Sequence, residues 1–235
     1  MLEMIDKIGL IGGTGPLGQG LALRWGLVGE PVCMGSRQQE KADKIALEIN
    51  SKLNSQIIQP MTNEDCIQEA DIILITTPFN FMIKTIEPLL PHLTVEKILV
   101  DVTVPLKPFE KGKMVDILPP MDLKAQSATE LLRKVVPPNI PVVGAFKTLS
   151  NSTLRDINRL PTLYQDVFIF SKDKEAKNRV KEKALKIEHL RPVDAGGTLS
   201  ARHVERFTAF LIGLNRRYKT HDSGIKVSGL PTRKW

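Results

Sequence analysis

The chain has 235 residues, 42% hydrophobic, 25% charged and 5% aromatic, and its 33 Lys and Arg against 26 Asp and Glu give a net charge of +7. This composition is ordinary for a soluble globular domain and excludes disordered, collagen-like and membrane-embedded chains. The length fits one large α/β domain, or one with a small appendage, and leaves no room for two full catalytic domains.

The opening shows no cleavable leader pattern, and no apolar run approaches the roughly 18–20 residues of a bilayer span. Cys33 and Cys66 have no CxxC partner, which points to a reduced, cytoplasmic setting. In chain order, Lys7–Ile11 reads as a buried strand, and Leu17, Leu21, Trp25 and Val28 recur at helical spacing. Val32–Met34 is a second strand and Gln38–Leu53 a second helix. Ala70–Thr76 and Ile98–Val104 are short, β-branched strands each ended by Pro, and Pro141–Phe146 and Asp166–Phe170 follow the same style. Strands alternating with helices predict an α/β fold: a doubly wound, mostly parallel sheet of the Rossmann type. Residues 1–197 form the expected nucleotide-binding domain, and 198–235 a small helical C-terminal appendage completing the substrate cleft or a dimer interface.

Between the strands, Pro105–Pro120 carries Pro105, Pro108, Gly112, Pro119 and Pro120 and reads as an irregular excursion after a strand's carboxyl end, where ligands bind in such sheets. Within Lys172–Arg191, Ala176, Val180, Ala184 and Ile187 mark one helix face, so the lysines are expected on the opposite, solvated face. Aromatic interleaving is missing there, so no nucleic-acid partner is expected. The positive charge then suits a polyanionic small ligand.

The most informative stretch is Ile8–Trp25. Gly13, Gly15 and Gly18 match G-x-G-x-x-G between a strand and a helix, the pattern for a tight turn, close backbone approach to a pyrophosphate, and helix–strand packing. The second strand lacks the acid that would bind an NAD ribose and continues as Ser36-Arg37 with Lys41 one turn on. A hydroxyl, a guanidinium and an ammonium suit the 2′-phosphate of NADP.

Short-chain dehydrogenases need Tyr-x-x-x-Lys. Tyr164 and Tyr218 are followed four residues later by Phe168 and Asp222, so that pair is absent. The 38 residues after Gly197 cannot supply the large helical domain of the 6-phosphogluconate-type enzymes. His92, His189, His203 and His221 have no metal-ligand spacing and read as structural or surface residues, with His189 late in a helix; no metal is expected.

The remaining motifs are Gly12-Gly13-Thr14-Gly15-Pro16-Leu17-Gly18, Gly35-Ser36-Arg37 with Glu40-Lys41-Ala42, Thr77-Pro78-Phe79, Ala145-Phe146-Lys147-Thr148, Arg191-Pro192-Val193-Asp194-Ala195-Gly196, and Leu214-Asn215-Arg216-Arg217-Tyr218. In this order and spacing the chain resembles the coenzyme F420-dependent NADP reductases over nearly its whole length. The resemblance implies NADP as cofactor, F420 as co-substrate, hydride transfer between nicotinamide C4 and deazaflavin C5, and a homodimer. It places Thr14, Ser36, Arg37 and Lys41 around the 2′-phosphate. Thr77, Pro78 and Phe79, with Ala145, Phe146 and the rest of the 145–148 segment, are placed against the two flat rings. No catalytic acid or base is expected. Lys147 stands where some members carry His, either as an acceptor contact or as a loop-end lysine in solvent. It motivates a second reading, an NADPH reductase of another flat acceptor such as a flavin or quinone, and a third is a non-catalytic NADPH-binding redox sensor. Arg202, Arg206, Arg216 and Arg217 lie off the apolar face of the last helix (Val204, Phe207, Leu211, Leu214) and would meet the acceptor's phospholactyl-glutamate tail or be solvated.

Overall fold

Four short apolar runs, each buried along its length, build the centre of the molecule: β1 (Ile8–Ile11), β4 (Ile72–Ile75), β5 (Ile98–Asp101) and β6 (Val142–Gly144). In this computed structural model, which describes residues 6–119, 124–157 and 164–230, they join β2 (Val32–Ser36) and β3 (Ile58–Thr62) in a six-stranded sheet of order β3-β2-β1-β4-β5-β6. Every pairing is parallel. Strands buried on both faces need apolar side chains pointing both ways, which explains their continuous rather than alternating hydrophobicity. Ile8, Leu10, Ile72, Leu74, Ile98 and Val100 enter one core layer. Ile11, Ile73, Ile75 and Leu99 enter the other.

The first layer is covered by α1 (Pro16–Leu27), α2 (Gln39–Leu53), α6 (Asn151–Arg155) and α7 (Lys174–Leu185). Trp25 of α1 is fully buried, meets the Phe146 ring edge-on at 5.8 Å and donates its indole N–H to the Lys183 carbonyl at 2.8 Å. The second layer is covered by α3 (Asn63–Glu69), α4 (Phe79–Ile86) and α5 (Ala128–Val135). Side chains start two of these helices: Thr62 Oγ1 accepts from the Asp65 N–H and Ser127 Oγ from the Glu130 N–H.

The strand expected at Asp166–Phe170 is present as β7 (Gln165–Ile169), but it does not extend the parallel sheet. It pairs in parallel with β8 (Leu190–Asp194) in a second, two-stranded sheet. Gly144 and Phe170 exchange backbone hydrogen bonds of 2.9 and 3.0 Å in an antiparallel bridge that joins the two sheets. A Cβ at Gly144 would lie 2.0 Å from the Phe170 ring, so the crossing requires glycine. The long helix α8 (Ala201–Tyr218) follows, with Ala201 and Val204 packed on Phe168 and Phe170. The segment after it returns to β7, where Asp166 N–H donates to the Ile225 carbonyl at 2.8 Å.

The lysines of α7 are not all solvated: Lys177 and Lys183 are buried, the first paired with Asp194 at 2.6 Å and the second with Glu30. Their long stems pass over apolar surface to reach acids on neighbouring elements. His189 lies beyond the end of α7 in a left-handed conformation (φ 62°), stacked on Tyr164 at 4.3 Å. The excursion after β5 is irregular as expected, held by an antiparallel bridge between Leu106 and Ile117 and by Lys107–Asp116 at 3.1 Å; its Pro120 lies outside the described residues. Among those residues, no helix is long and apolar enough to cross a membrane, and no three His, Cys, Asp or Glu side chains gather as a metal site would require.

Candidate functional site

The strand order reverses between β1 and β4, because the chain leaves β1 toward β2 and β3 and later resumes on the other side. At the carboxyl ends of these strands the diverging loops leave a crevice. Here it is a cleft of about 1050 Å³. Thr76 pins the rim, its N–H and hydroxyl both donating to the Ile11 carbonyl at 2.9 Å.

The glycine-rich loop forms one wall, with a division of labour slightly different from the expected one. The left-handed residue of the turn is Gly12 (φ 73°), one before the first glycine of the motif. Gly13 is packed beneath the loop, with its N–H donating to the Leu10 and Gly35 carbonyls at 3.0 and 2.8 Å. Gly18 packs α1 against the loop, since a Cβ there would lie 2.5 Å from the Gly13 carbonyl oxygen. Gly15 differs from all three. Its backbone is extended (φ −76°, ψ 165°), which any residue adopts, and an added Cβ would meet nothing nearer than 3.4 Å. What a side chain at Gly15 would fill is the cleft itself.

Beside Gly15, α1 begins with Pro16 and has no side-chain cap, so first-turn N–H groups and the positive end of the helix face the cleft. Such a terminus is suited to a phosphate. Across from it, the Thr77 hydroxyl is buried with no hydrogen-bond partner, a polar group that a bound ligand would satisfy. Arg37, just before α2, and Lys41, in its first turn, line the cleft with no acidic partner among the described residues, beside Ser36, the buried last residue of β2. An orphaned hydroxyl, an uncapped helix start, an open glycine and two unpaired cations together fit a pyrophosphate with a further phosphate at the Arg37 end.

Of the residues singled out in the sequence, Gly12, Thr14, Gly15, Pro16, Leu17, Ser36, Arg37, Lys41, Thr77, Pro78 and Phe79 line this cleft. Gly13 and Gly18 lie behind it. Ala145 and Phe146 line no part of it: both are buried in the core, Phe146 in a left-handed conformation (φ 56°) against Trp25. Their segment reaches the cleft through Lys147 and Leu149 instead.

Lys147 is not in solvent. Its ammonium is wholly buried, 2.7 Å from Asp101 Oδ2 and 3.1 Å from Glu205 Oε1, and it also donates to the Thr103 carbonyl. All three ammonium protons thus have acceptors. Asp101 is itself saturated, accepting from the Thr103 N–H and hydroxyl at 2.8 Å each and from the Thr129 hydroxyl at 2.6 Å. Glu205 accepts from the Ala128 N–H at the start of α5. Burial alone would lower the Lys147 pKa, but the Asp101 and Glu205 carboxylates outweigh it and hold it above the usual lysine value. Burial pushes the Glu205 carboxyl up, against the pull of Lys147.

Several lining residues carry no signal in the sequence. Asn63 caps the loop from below, its Oδ1 accepting the Gly12 N–H at 3.0 Å. Phe81 and Thr85 of α4, Val104 and Leu106 after β5, and Thr208 and Ile212 of α8 complete the walls. A lone Asn after a short edge strand has no distinguishing spacing. Thr208 and Ile212 do lie four apart on one helix face, a periodicity that shows a face without showing what it covers. No Asp, Glu or His lines the cleft among the described residues.

A Gly15→Val substitution is expected to raise the NADPH dissociation constant by about a hundredfold or more, roughly 2.7 kcal/mol, with the thermal midpoint unchanged. Unchanged affinity in a titration would mean the loop is only structural. Lys147→Met leaves two buried carboxylates facing each other and is expected to cost about 3–5 kcal/mol of stability. Urea unfolding measures it, and a loss below about 1 kcal/mol would contradict the burial of the charge.

Known proteins resemble this chain in sequence and in fold. The model of a family described as "NADP oxidoreductase coenzyme F420-dependent" matches residues 7–105. The chain is 33% identical over 235 residues to the F420-dependent NADP reductase of Methanothermobacter thermautotrophicus, covering 98% of each chain. It is 32% identical to that of Methanocaldococcus jannaschii, covering 95% of this chain and 99% of the other. Among solved structures, a putative F420-dependent NADP reductase from Arthrobacter sp. FB24 shares the fold with a TM-score of 0.76 at 23% identity, over 95% of this chain and 99% of that one. A pyrroline-5-carboxylate reductase from Coxiella burnetii shares it at a TM-score of 0.55 and 16% identity, over 81% and 60%. On sequence and fold together, the chain belongs to the F420-dependent NADP reductase family.

Proposed function

We propose that this protein transfers a hydride between NADP(H) and coenzyme F420. The observation that carries the reading is a cleft with a glycine loop, an open helix start and two unpaired cations at one end and apolar walls at the other, with no Asp, Glu or His in its lining among the described residues. When bound, the nicotinamide and the deazaflavin supply the redox chemistry, donor carbon C4 facing acceptor carbon C5. The chain's part is to bind, orient and exclude water, bringing the reacting carbons to about 3–3.5 Å.

Gly15 and the first turn of α1 hold the pyrophosphate, and Ser36, Arg37 and Lys41 hold the 2′-phosphate. Thr77, Pro78 and Phe79 lie against the nicotinamide end. Phe81, Val104, Leu106 and Ile212 make the apolar surround of the acceptor ring. Lys147 supports this surround from beneath: it binds the Thr103 carbonyl and, through Asp101, fixes the Thr103 N–H. A lysine with every proton engaged gives no reason to prefer a flavin or quinone over F420.

The enzyme works as a homodimer in the cytoplasm. Supporting the dimer, α8 and the turn before it expose Phe207, Phe210 and Leu199 at 45%, 62% and 60% of their surface, an apolar patch that a second copy would cover. Supporting a reducing compartment, Cys33 and Cys66 are both free and buried.

Mixing the protein with NADPH and oxidised F420 is expected to bleach the deazaflavin's visible absorbance. Oxidation of NADPH by a flavin but not by F420 would overturn the acceptor assignment. Arg37→Asp is expected to weaken NADPH binding at least about tenfold, roughly 1.4 kcal/mol, while NADH binding changes little. An equal loss for both would refute the 2′-phosphate site. Light scattering at micromolar concentration should give twice the chain mass, and a monomer would refute the dimer.

A further inference from the structure

Asn63 opens α3 directly beyond β3, whose last residue, Thr62, pairs in register with Ser36 of β2. It is only 7% exposed and lines the cofactor cleft. Its side chain touches two of the motifs read from the sequence. Oδ1 accepts the Gly12 N–H at 3.0 Å, and a Cβ at Gly35 would come within 2.9 Å of the same oxygen. Gly35 is glycine because the Asn63 amide occupies the space beside it, a close approach rather than a turn.

An amide has two ends, and the protein uses one of them. With Oδ1 committed to the Gly12 N–H, Nδ2 is the end that remains, since the reverse orientation would set two donors against each other. Nδ2 makes no hydrogen bond to any described residue, and a buried donor left without a partner is costly. The acids next to it are engaged elsewhere: Glu64 pairs with His92 at 3.3 Å, and Asp65 accepts from the Thr62 hydroxyl at 2.7 Å. Aspartate at this position would meet the demands of the fold equally well. A carboxylate oxygen would accept the Gly12 N–H, and a negative charge is favoured in the first turn of a helix. What the amide offers and a carboxylate does not is a donor without negative charge, which suits an anionic ligand.

We propose that Asn63 is a specificity-determining residue of the cofactor site, donating from Nδ2 to the phosphorylated ribose of NADP while Oδ1 holds the Gly12 turn. The inference rests on the cofactor placement above and extends it. With the pyrophosphate at Gly15 and the 2′-phosphate at Ser36, Arg37 and Lys41, the adenosine ribose bridges the two. Asn63 touches the loop at Gly12 and β2 at Gly35, and so stands where that bridge passes. Arg37 and Lys41 supply the charge that attracts the phosphate. Asn63 supplies a fixed direction, because the Gly12 N–H sets the orientation of its amide. One side chain thereby joins the shape of the glycine loop to the choice of NADP over NAD.

Titrating NADPH and NADH against the same preparation tests this through the ratio of their dissociation constants. A loss of folded protein affects both and cancels from the ratio. Asn63→Asp keeps an acceptor for the Gly12 N–H and turns the donor into a charge that repels phosphate, so the preference for NADPH should fall at least about tenfold. Asn63→Ala removes the donor without adding a charge and should lower the preference about threefold or more. In either variant, a preference within about twofold of the unaltered protein's would confine Asn63 to a structural role and overturn the inference. If Arg37→Asp abolishes the preference while the Asn63 variants keep it, the 2′-phosphate site stands and only the role of Asn63 falls. An unaltered protein that binds both cofactors equally would refute the placement and this inference together.

Discussion

A lysine ammonium sealed away from water must be enclosed by acceptors, and the Lys147 site is built around that requirement. Its partners come from β5 (Asp101), the segment after it (Thr103) and α8 (Glu205), while Asp101 and Glu205 reach further to Thr129 and Ala128 of α5. One buried charge therefore joins the sheet, the segment after β6, the start of α5 and the C-terminal helix. Removing any partner strands a charge at a cost of several kcal/mol, so the elements are held in register. The C-terminal helix is thereby fastened to the nucleotide-binding sheet by charge as well as by the apolar contacts of Ala201 and Val204.

That fastening positions the site. Thr103, held through Lys147 and Asp101, opens the stretch after β5 that walls one end of the cleft. Thr208, one turn beyond Glu205, donates to the Lys147 carbonyl at 3.0 Å and lines the cleft. A reaction that needs two rings at a fixed separation and no acid or base is served by rigidity in these walls. At the other end the glycine loop is rigid for a different reason: Gly12, Gly13 and Gly18 are committed to the turn and its packing, which leaves Gly15 as the point where a ligand can approach the backbone.

The central strands, the phosphate loop and the cationic start of α2 were legible because each depends on local chemistry: an apolar run, glycine spacing, or a basic residue where an acid would otherwise stand. β3 and β8 were not, since Pro60 and Pro192 and their polar neighbours break the apolar pattern in strands that lie at sheet edges. The buried pairings of Lys177, Lys183 and Lys147 were illegible for another reason. Their partners lie 17, 153 and up to 58 residues away in the chain, and no periodicity signals which lysine of a charged helix face turns inward. The expectation that Ala145 and Phe146 face the rings came from motif order; the left-handed backbone at Phe146 turns its ring into the core, and Lys147 and Leu149 reach the cleft in its place.

On the proposed reaction the protein aligns two rings for direct transfer and contributes no acid or base of its own. The most direct measurement is the fate of deuterium carried at C4 of NADPH during reduction of F420 in ordinary water. Direct transfer predicts that the label from one face of the nicotinamide is recovered at C5 of the reduced deazaflavin. Loss of the label to solvent would mean that a protein group or a second carrier intervenes, and would contradict direct transfer.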